Sequence, residues 1–231
     1  MDFFGQGLLE AARLILAGDA RTYHAVLVSL TCSVTAVSLA ALLAVPYGAW
    51  MGLYRPRGYR AQVFGLRVAM SIPTVVLGLL VFGLLSRRGL LGGMDLLYTQ
   101  VAIIAGEFLL AVPLLGSLVY GATARLDPRV VETALTLGAG RWQALLKVLS
   151  EVRPALVAAL MAAFGRCVTE LGIALTVGGN LPLRTRTLAS TAQLELSRGQ
   201  FAAALAPGVL LMLLAAGATM LAHWLEREKR S

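Results

Sequence analysis

The sequence has little charge and few residues that could crosslink a chain or bind a metal. Charged residues make up 14% of its 231 residues, against roughly 25% in average globular chains. The two cysteines, Cys32 and Cys167, lie within apolar stretches and predict neither a disulfide framework nor a metal site. Hydrophobic residues reach 58%, and the mean hydropathy is +0.78. This composition excludes an ordinary soluble domain or a disordered chain and indicates a polytopic membrane protein.

Motifs for nucleotide binding and for common hydrolytic chemistry are also missing. The sequence contains no G-x-x-x-x-G-K-[ST] phosphate-binding loop, no H-E-x-x-H and no G-x-S-x-G. We therefore predict no catalytic residues, no metal and no cofactor bound by this chain. The net charge of +8 mainly reflects basic loops that set the orientation of a membrane protein, so no nucleic-acid partner is expected.

Five stretches are apolar enough to cross a bilayer, which takes about 20 residues per helix. They predict transmembrane spans at about 25–53, 68–86, 99–124, 155–179 and 201–225. With the N-terminus outside, most of the 20 Lys and Arg residues fall in cytoplasmic segments, as positive loops should. We predict one all-α integral membrane domain over 1–231 in the cytoplasmic (inner) membrane, with five transmembrane helices, the N-terminus outside and the C-terminus in the cytoplasm.

The longest polar stretch between predicted spans, at about 125–153, has the spacing of two short helices. Asp127 is a favourable N-cap with Pro128 at the first helical position, and Gly138 is a natural left-handed stop. The second helix is predicted to bury one apolar face, formed by residues at i, i+3, i+4 and i+7, which are Trp142, Leu145, Leu146 and Leu149. The alternative is an amphipathic loop that rests on the membrane surface.

Within this loop Glu132, Thr133 and Ala134, then three residues and Gly138, resemble the E-A-A-x-x-x-G signature of ABC importer permeases. The sequence departs from it at Thr133, where the family usually has Ala, and lacks the family's I-x-L-P ending. The resemblance implies a type I ABC importer architecture, in which this loop docks on a separate subunit that binds ATP and Mg. The residues expected to couple the two subunits are Glu132, Ala134, Gly138, Arg141 and Trp142.

Three charged residues, Glu107, Arg166 and Glu170, fall inside predicted spans. An arginine at the helix centre costs about +2.5 to +3.5 kcal/mol on insertion scales, so these side chains should face the interior, a partner or water. Arg166 and Glu170, four residues apart, favour an ion pair, and a role along the translocation path is an equal alternative. Glu107 is expected to pair with Arg166 or to snorkel, and a proton relay is the sharper alternative.

The patterns F-G-R-x-x-x-E-x-G, V-G-G-N, T-R-T-L and L-E-x-x-x-G-x-F between residues 164 and 201 closely resemble the tungstate permeases and their molybdate relatives. The resemblance covers about 132–208. It implies a molybdate-permease-like homodimer of this chain, two ATP-binding cassette subunits and an external solute-binding protein that delivers an oxyanion. Tungstate is the expected oxyanion, with molybdate or sulfate as alternatives.

Asn180, Arg184 and Arg186 are expected at the outer mouth, where arginines can bind a dianion or an acidic receptor lobe. The alternative for the two arginines is a basic turn solvated by water and lipid headgroups. Two other functions stay open at this point. In an ion-driven secondary carrier, Glu107, Arg166 and Glu170 would be the working charges, and a membrane-embedded enzyme is a third class.

Overall fold

The computed structural model describes residues 9, 12–13, 15–17 and 19–227. Regular structure from residue 20 to residue 227 is entirely helical, which confirms the predicted all-α class. The helices are α1 (Ala20–Tyr54), α2 (Tyr59–Met70), α3 (Thr74–Leu85), α4 (Gln100–Thr123), α5 (Pro128–Thr136), α6 (Arg141–Glu151), α7 (Arg153–Val168), α8 (Gly172–Gly178), α9 (Leu188–Ser197) and α10 (Phe201–Arg227), with a short 3-10 turn at Gly92–Met94.

Helix α1 contains the whole first predicted span. It begins after Asp19, whose carboxylate accepts a hydrogen bond from Thr22 N at 3.0 Å, and it ends at Arg55 in the left-handed conformation. Its 35 residues correspond to about 50 Å at 1.5 Å per residue, more than the roughly 30 Å of a hydrocarbon core. The ends of α1 therefore extend beyond the core. The third and fifth predicted spans likewise correspond to single helices, α4 and α10.

The second predicted span, 68–86, is not one helix. Helix α2 ends at Met70, α3 begins at Thr74, and the two helices meet at 94°. Pro73 explains the break, because it has no N–H to continue the helix and restricts the residue before it. Helix α3 alone has 12 residues, about 18 Å, so it needs α2 to complete a crossing.

The fourth predicted span, 155–179, is also interrupted. Helix α7 ends at Val168 and α8 begins at Gly172, while the junction between α6 and α7 bends by 77°. In the described part of the chain, three helices are long and apolar enough to cross a membrane, or up to five spans if each bent pair counts as one. The predicted orientation of the spans stays a prediction.

Helices α1 and α4 form the most extensive contact of the bundle, and small residues bring their backbones together. A Cβ added at Gly48 would lie 2.7 Å from the carbonyl oxygen of Gly116, and one at Gly52 would collide with the side chain of Thr123. Because lipid tails are as apolar as leucine, close packing of small residues is a main source of helix association in membranes. The α1–α4 pair is thus the close-packed centre of the bundle, while α10 packs on α7 and α9 instead.

Candidate functional site

The polar loop folds into the two helices that its sequence predicts. The Asp127 carboxylate accepts a hydrogen bond from Arg129 N at 2.9 Å at the start of α5. The chain turns at Gly138, which has a φ of +86°, and restarts after Gly140, whose N–H donates to Gln143 Oε1 at 2.8 Å. The predicted N-cap and left-handed stop are therefore confirmed.

The buried face of α6 agrees with the predicted one only in part. Ala144, Leu145 and Val148 are buried, whereas Trp142 is 64% and Leu146 50% exposed. Leu145 clusters with Ala49 of α1 and Val119 of α4, and Leu149 packs against the same cluster. Hydrophobic spacing could not separate a face that packs on protein from one that faces outward, because both are apolar.

Helix α5 projects from the bundle with Glu132 exposed and Ala134 half-buried. A cavity of about 290 Å³ separates α5 from the ends of α1 and α4, and its lining includes Arg55, Asp127 and Glu132. The Arg55 guanidinium donates to the Ala124 carbonyl at 3.4 Å, which ties the end of α1 to the end of α4 beside this cavity. The helix α6 begins at Arg141, whose side chain lies outside the described part of the structure.

Arg166 and Glu170 form an ion pair at 2.7 Å that sits at the break between α7 and α8. The other carboxylate oxygen of Glu170, Oε1, accepts hydrogen bonds from Gly172 N at 2.8 Å and Ile173 N at 3.3 Å. Glu170 is 3% exposed, and its negative charge lies at a helix N-terminus, where the backbone favours an anion. One side chain therefore joins the end of α7 to the start of α8.

Helix α8 fits closely between α3 and α4 because glycines face it. An added Cβ at Gly78 of α3 would collide with Thr176, and one at Gly106 of α4 would collide with Ile173. Gly172 itself lies against the first residues of α3. This short helix is thus held on two sides, and its N-terminus is set by Glu170.

Glu107 does not pair with Arg166 as expected, since that guanidinium binds Glu170 instead. The Glu107 side chain is 2% exposed. Its Oε2 atom and the hydroxyl of Ser33 are buried without a hydrogen-bond partner among the described residues. Glu107 is therefore enclosed in the core, where its backbone carbonyl accepts from the thiol of Cys167 on α7 at 3.7 Å.

The chain after α8 turns through two left-handed residues, Gly179 (φ 67°) and Asn180 (φ 50°). Arg186 binds Asn180 twice, from Nε to Oδ1 at 3.1 Å and from the guanidinium to the backbone carbonyl at 3.3 Å. Partial burial, followed by the charge of Arg198, lowers the pKa of the Arg186 guanidinium. Arg184 is exposed, and its carbonyl accepts from Gln100 Nε2 at 2.9 Å. The structure thus brings Arg186 and Asn180 together and leaves the Arg184 side chain at the surface.

Hydroxyl groups that sequence reasoning missed fix this turn. Thr185 Oγ1 donates to the Gly178 carbonyl at 2.6 Å, and Thr187 caps α9 together with Ser190. Ser29 of α1 accepts from Leu188 N at 2.9 Å. The Thr187-x-x-Ser190 spacing before an apolar run resembles a capping box and could have located this cap, whereas the contact to Ser29 has no local signal.

Residues 44–231 match the family described as the binding-protein-dependent transport system inner membrane component. The chain belongs to this family. Membership confirms the predicted class, a membrane transport subunit and not an enzyme, and the predicted location in the inner membrane.

Two proteins are similar to this chain over nearly its whole length. The tungstate uptake system permease protein TupB of Peptoclostridium acidaminophilum is 31% identical over 228 residues, covering 99% of this chain and 100% of that protein. TupB of Campylobacter jejuni is 30% identical and covers 98% and 95%. The molybdenum transport system permease protein ModB of Escherichia coli K12 is 29% identical over 180 residues, covering 73% and 77%.

Solved structures of ABC transporters share the fold. The inward-facing MetNI methionine ABC transporter matches with a TM-score of 0.73 at 20% identity, covering 90% of this chain and 95% of that chain. A bacterial ABC transporter that imports alginate matches with a TM-score of 0.71 at 19% identity, covering 93% and 82%. The predicted ABC importer permease architecture is thereby confirmed as a fold.

Proposed function

We propose that this protein is the permease of an ATP-driven importer that carries a tetrahedral oxyanion, tungstate, into the cytoplasm. The observation that carries the proposal is the similarity to two tungstate permeases over nearly the full chain. The molybdate permease covers a smaller share, so molybdate ranks second. The proposal assumes the predicted orientation, in which α5 and α6 lie on the cytoplasmic side.

The proposed complex contains two copies of this chain, two ATP-binding cassette subunits that bind ATP and Mg, and an external solute-binding protein. Helix α5, with exposed Glu132, is the proposed docking element for the ATPase. Gly138 provides the tight turn that joins α5 to α6 without a steric neighbour. Movement of the ATPase subunits would therefore reach the bundle through α6.

Contacts of α6 suggest how that movement would spread. Its buried side packs on α1 and α4 through Leu145, and its end leads directly into α7. Helix α7 ends at the Arg166–Glu170 pair, which positions α8. A displacement of α5 would thus pass along one continuous chain of packed elements to α8, without requiring Glu107 to move a proton.

The turn after α8 is the proposed outer mouth. Asn180 fixes the Arg186 guanidinium through two hydrogen bonds, while the Arg184 side chain is exposed. Guanidinium groups form charge-assisted, multidentate hydrogen bonds with tetrahedral oxyanions. Arg184 is thus the proposed first contact for cargo or for an acidic lobe of the binding protein, and Arg186 holds the turn in shape.

Transport by the reconstituted complex tests the proposal. The permease, its ATPase and its binding protein would be placed in liposomes, and uptake of tungstate, molybdate and sulfate would be measured by elemental mass spectrometry with and without ATP. We expect ATP-dependent tungstate uptake that survives collapse of the proton gradient. Uptake that needs the gradient and no ATP would instead identify a secondary carrier, and a preference for molybdate or sulfate would overturn the substrate assignment.

A further inference from the structure

One face of α1 is exposed along much of its length and changes character from leucine to aromatic residues. Leu39, Leu43, Tyr47 and Trp50 are exposed at intervals of three or four residues, which places them on one side of a helix. Leu39 and Trp50 are eleven residues apart, about 16 Å along the axis. That distance matches one leaflet of a hydrocarbon core, which is about half of 30 Å.

Two neighbouring depressions lie on this face. The first, the leucine groove, has a volume of about 480 Å³ and runs between Leu39 and Leu43 of α1 and Ile104 and Phe108 of α4. One turn further along α1, an aromatic cleft of about 820 Å³ opens between α1 and Trp142 of α6. Leucine groove and aromatic cleft therefore follow each other along one side of the molecule.

The aromatic cleft is built from fixed side chains. Tyr47 donates its hydroxyl to Gln62 Oε1 at 2.8 Å, and its ring stacks on Trp50 with centroids 6.2 Å apart. Trp142 contributes an exposed ring from the other wall. Tyrosine and tryptophan prefer the depth of lipid headgroups, where one end of the ring is apolar and the other wet.

Basic residues follow the last cleft residue of α1 in the sequence. Arg55 and Arg57, both exposed, come after the last turn of α1, and Arg60 is exposed at the start of α2. Arginines next to a span attract anionic headgroups of the adjacent leaflet. The order along the chain is thus apolar, then aromatic, then cationic, which is the order of an acyl chain, a glycerol region and an anionic headgroup.

We propose that the leucine groove and the aromatic cleft together bind one anionic phospholipid of the leaflet at the Arg55 end of α1. An acyl chain fills the groove beside Leu39 and Leu43, and the glycerol region lies between Trp50 and Trp142. The bound lipid would contact α6, so it touches the segment through which the ATPase is proposed to act. This site requires only that α1 crosses the bilayer and does not depend on which anion is carried.

Lipid retention by the purified permease–ATPase complex tests the site. The complex would be delipidated, incubated with phosphatidylglycerol and analysed by native mass spectrometry. We expect a W50A/W142A variant to lose most of the retained lipid. The control is W224A, which removes a 58% exposed tryptophan from α10 and should retain lipid like the unaltered protein. Equal retention in all three proteins would overturn the proposal, and separation of the two permease copies in W50A/W142A would mean that a second chain covers the face.

A second, milder experiment replaces tryptophan only by phenylalanine, which is also aromatic. Trp50, Trp142 and Trp224 are the three tryptophans of the sequence, so each can be kept alone by Trp→Phe substitution of the other two. Limiting amounts of phosphatidylglycerol brominated close to its glycerol backbone should quench Trp50 and Trp142 before Trp224. Equal quenching of all three would indicate bulk lipid only and would contradict the site. Neither measurement uses transport, so its failure is separate from failure of the proposed function.

Discussion

At the residue scale, Glu170 combines an ion pair with a helix cap. Both carboxylate oxygens are used, one by Arg166 and one by the N–H groups of Gly172 and Ile173. Glu170 is the enclosed partner of the pair, with 3% of its side chain exposed against 43% for Arg166, so its carboxylate depends on the backbone donors of α8 as well as on the guanidinium. The same side chain therefore acts as a helix cap as well as a charge partner.

We expect Glu170→Ala to destabilise the protein by about 1–3 kcal/mol, the cost of leaving a buried donor unsatisfied. Glu170→Gln should cost less, because its amide oxygen can still accept from Gly172 N. Thermal unfolding of the purified complex would measure both. The matched control is Glu151→Ala, which breaks the exposed i,i+4 pair with Lys147 and should cost at most about 1 kcal/mol. Equal losses in the alanine variants would contradict the capping role.

Local sequence signals predicted some site residues and not others. Asp127 and Gly138 were predictable because a cap and a left-handed stop depend on neighbouring residues in the chain. Arg166 and Glu170 were recognisable as a pair by their spacing. The cap that Glu170 provides was not, because it depends on a helix break that hydropathy does not register.

At the element scale, α1 and α4 depend on glycine for their close contact. Gly48→Ala should destabilise the bundle by about 1–3 kcal/mol, as overpacking typically does, because its Cβ would approach the Gly116 carbonyl, a backbone atom that cannot move aside. Gly121→Ala on α4 is the control, since a Cβ there meets nothing within 4 Å. Thermal unfolding should leave the control unchanged or raise its stability, because alanine favours helix by about 1 kcal/mol. A similar loss in both variants would mean that close packing is not the cause.

The turn between α5 and α6 should be sensitive to backbone conformation alone. Gly138 has a φ of +86° and open space around it, so Gly138→Ala costs roughly 1–2 kcal/mol of left-handed strain without a clash. We expect less oxyanion uptake per ATP hydrolysed in the reconstituted complex. Gly138→Asn should be milder, because asparagine tolerates this conformation.

Gly199 supplies a matched control for that experiment. It also has a positive φ, +75°, with nothing near its missing Cβ, but it joins α9 to α10, away from α5 and α6. Gly199→Ala imposes the same kind of strain and should leave the ratio of uptake to hydrolysis unchanged. If both alanine variants lower that ratio equally, the turn at Gly138 has no special part in coupling.

At the scale of the whole molecule, hydropathy predicted which stretches are apolar but not which are continuous helices. The 94° bend between α2 and α3 and the gap between α7 and α8 both lie inside predicted spans. The mean hydropathy of a window of about 20 residues hardly changes when three of them form a turn, so the helix breaks at Pro73 and Thr169 leave no signal in it. The three uninterrupted helices that are long and apolar enough to cross a membrane, α1, α4 and α10, have bounds within a few residues of the predicted stretches, except for the early start of α1.

Orientation in the membrane can be tested with two equivalent substitutions. Arg57→Cys and Arg88→Cys both replace an exposed arginine in a turn, the first between α1 and α2 and the second between α3 and α4. The native Cys32 and Cys167 are 0% and 1% exposed, so they should give little background with a membrane-impermeant maleimide. We expect intact cells to label Arg88→Cys and permeabilised cells to label both, because positive loops remain cytoplasmic. Labelling of Arg57→Cys in intact cells would show that the orientation is opposite to the predicted one. In that orientation α5 would lie on the side away from ATP.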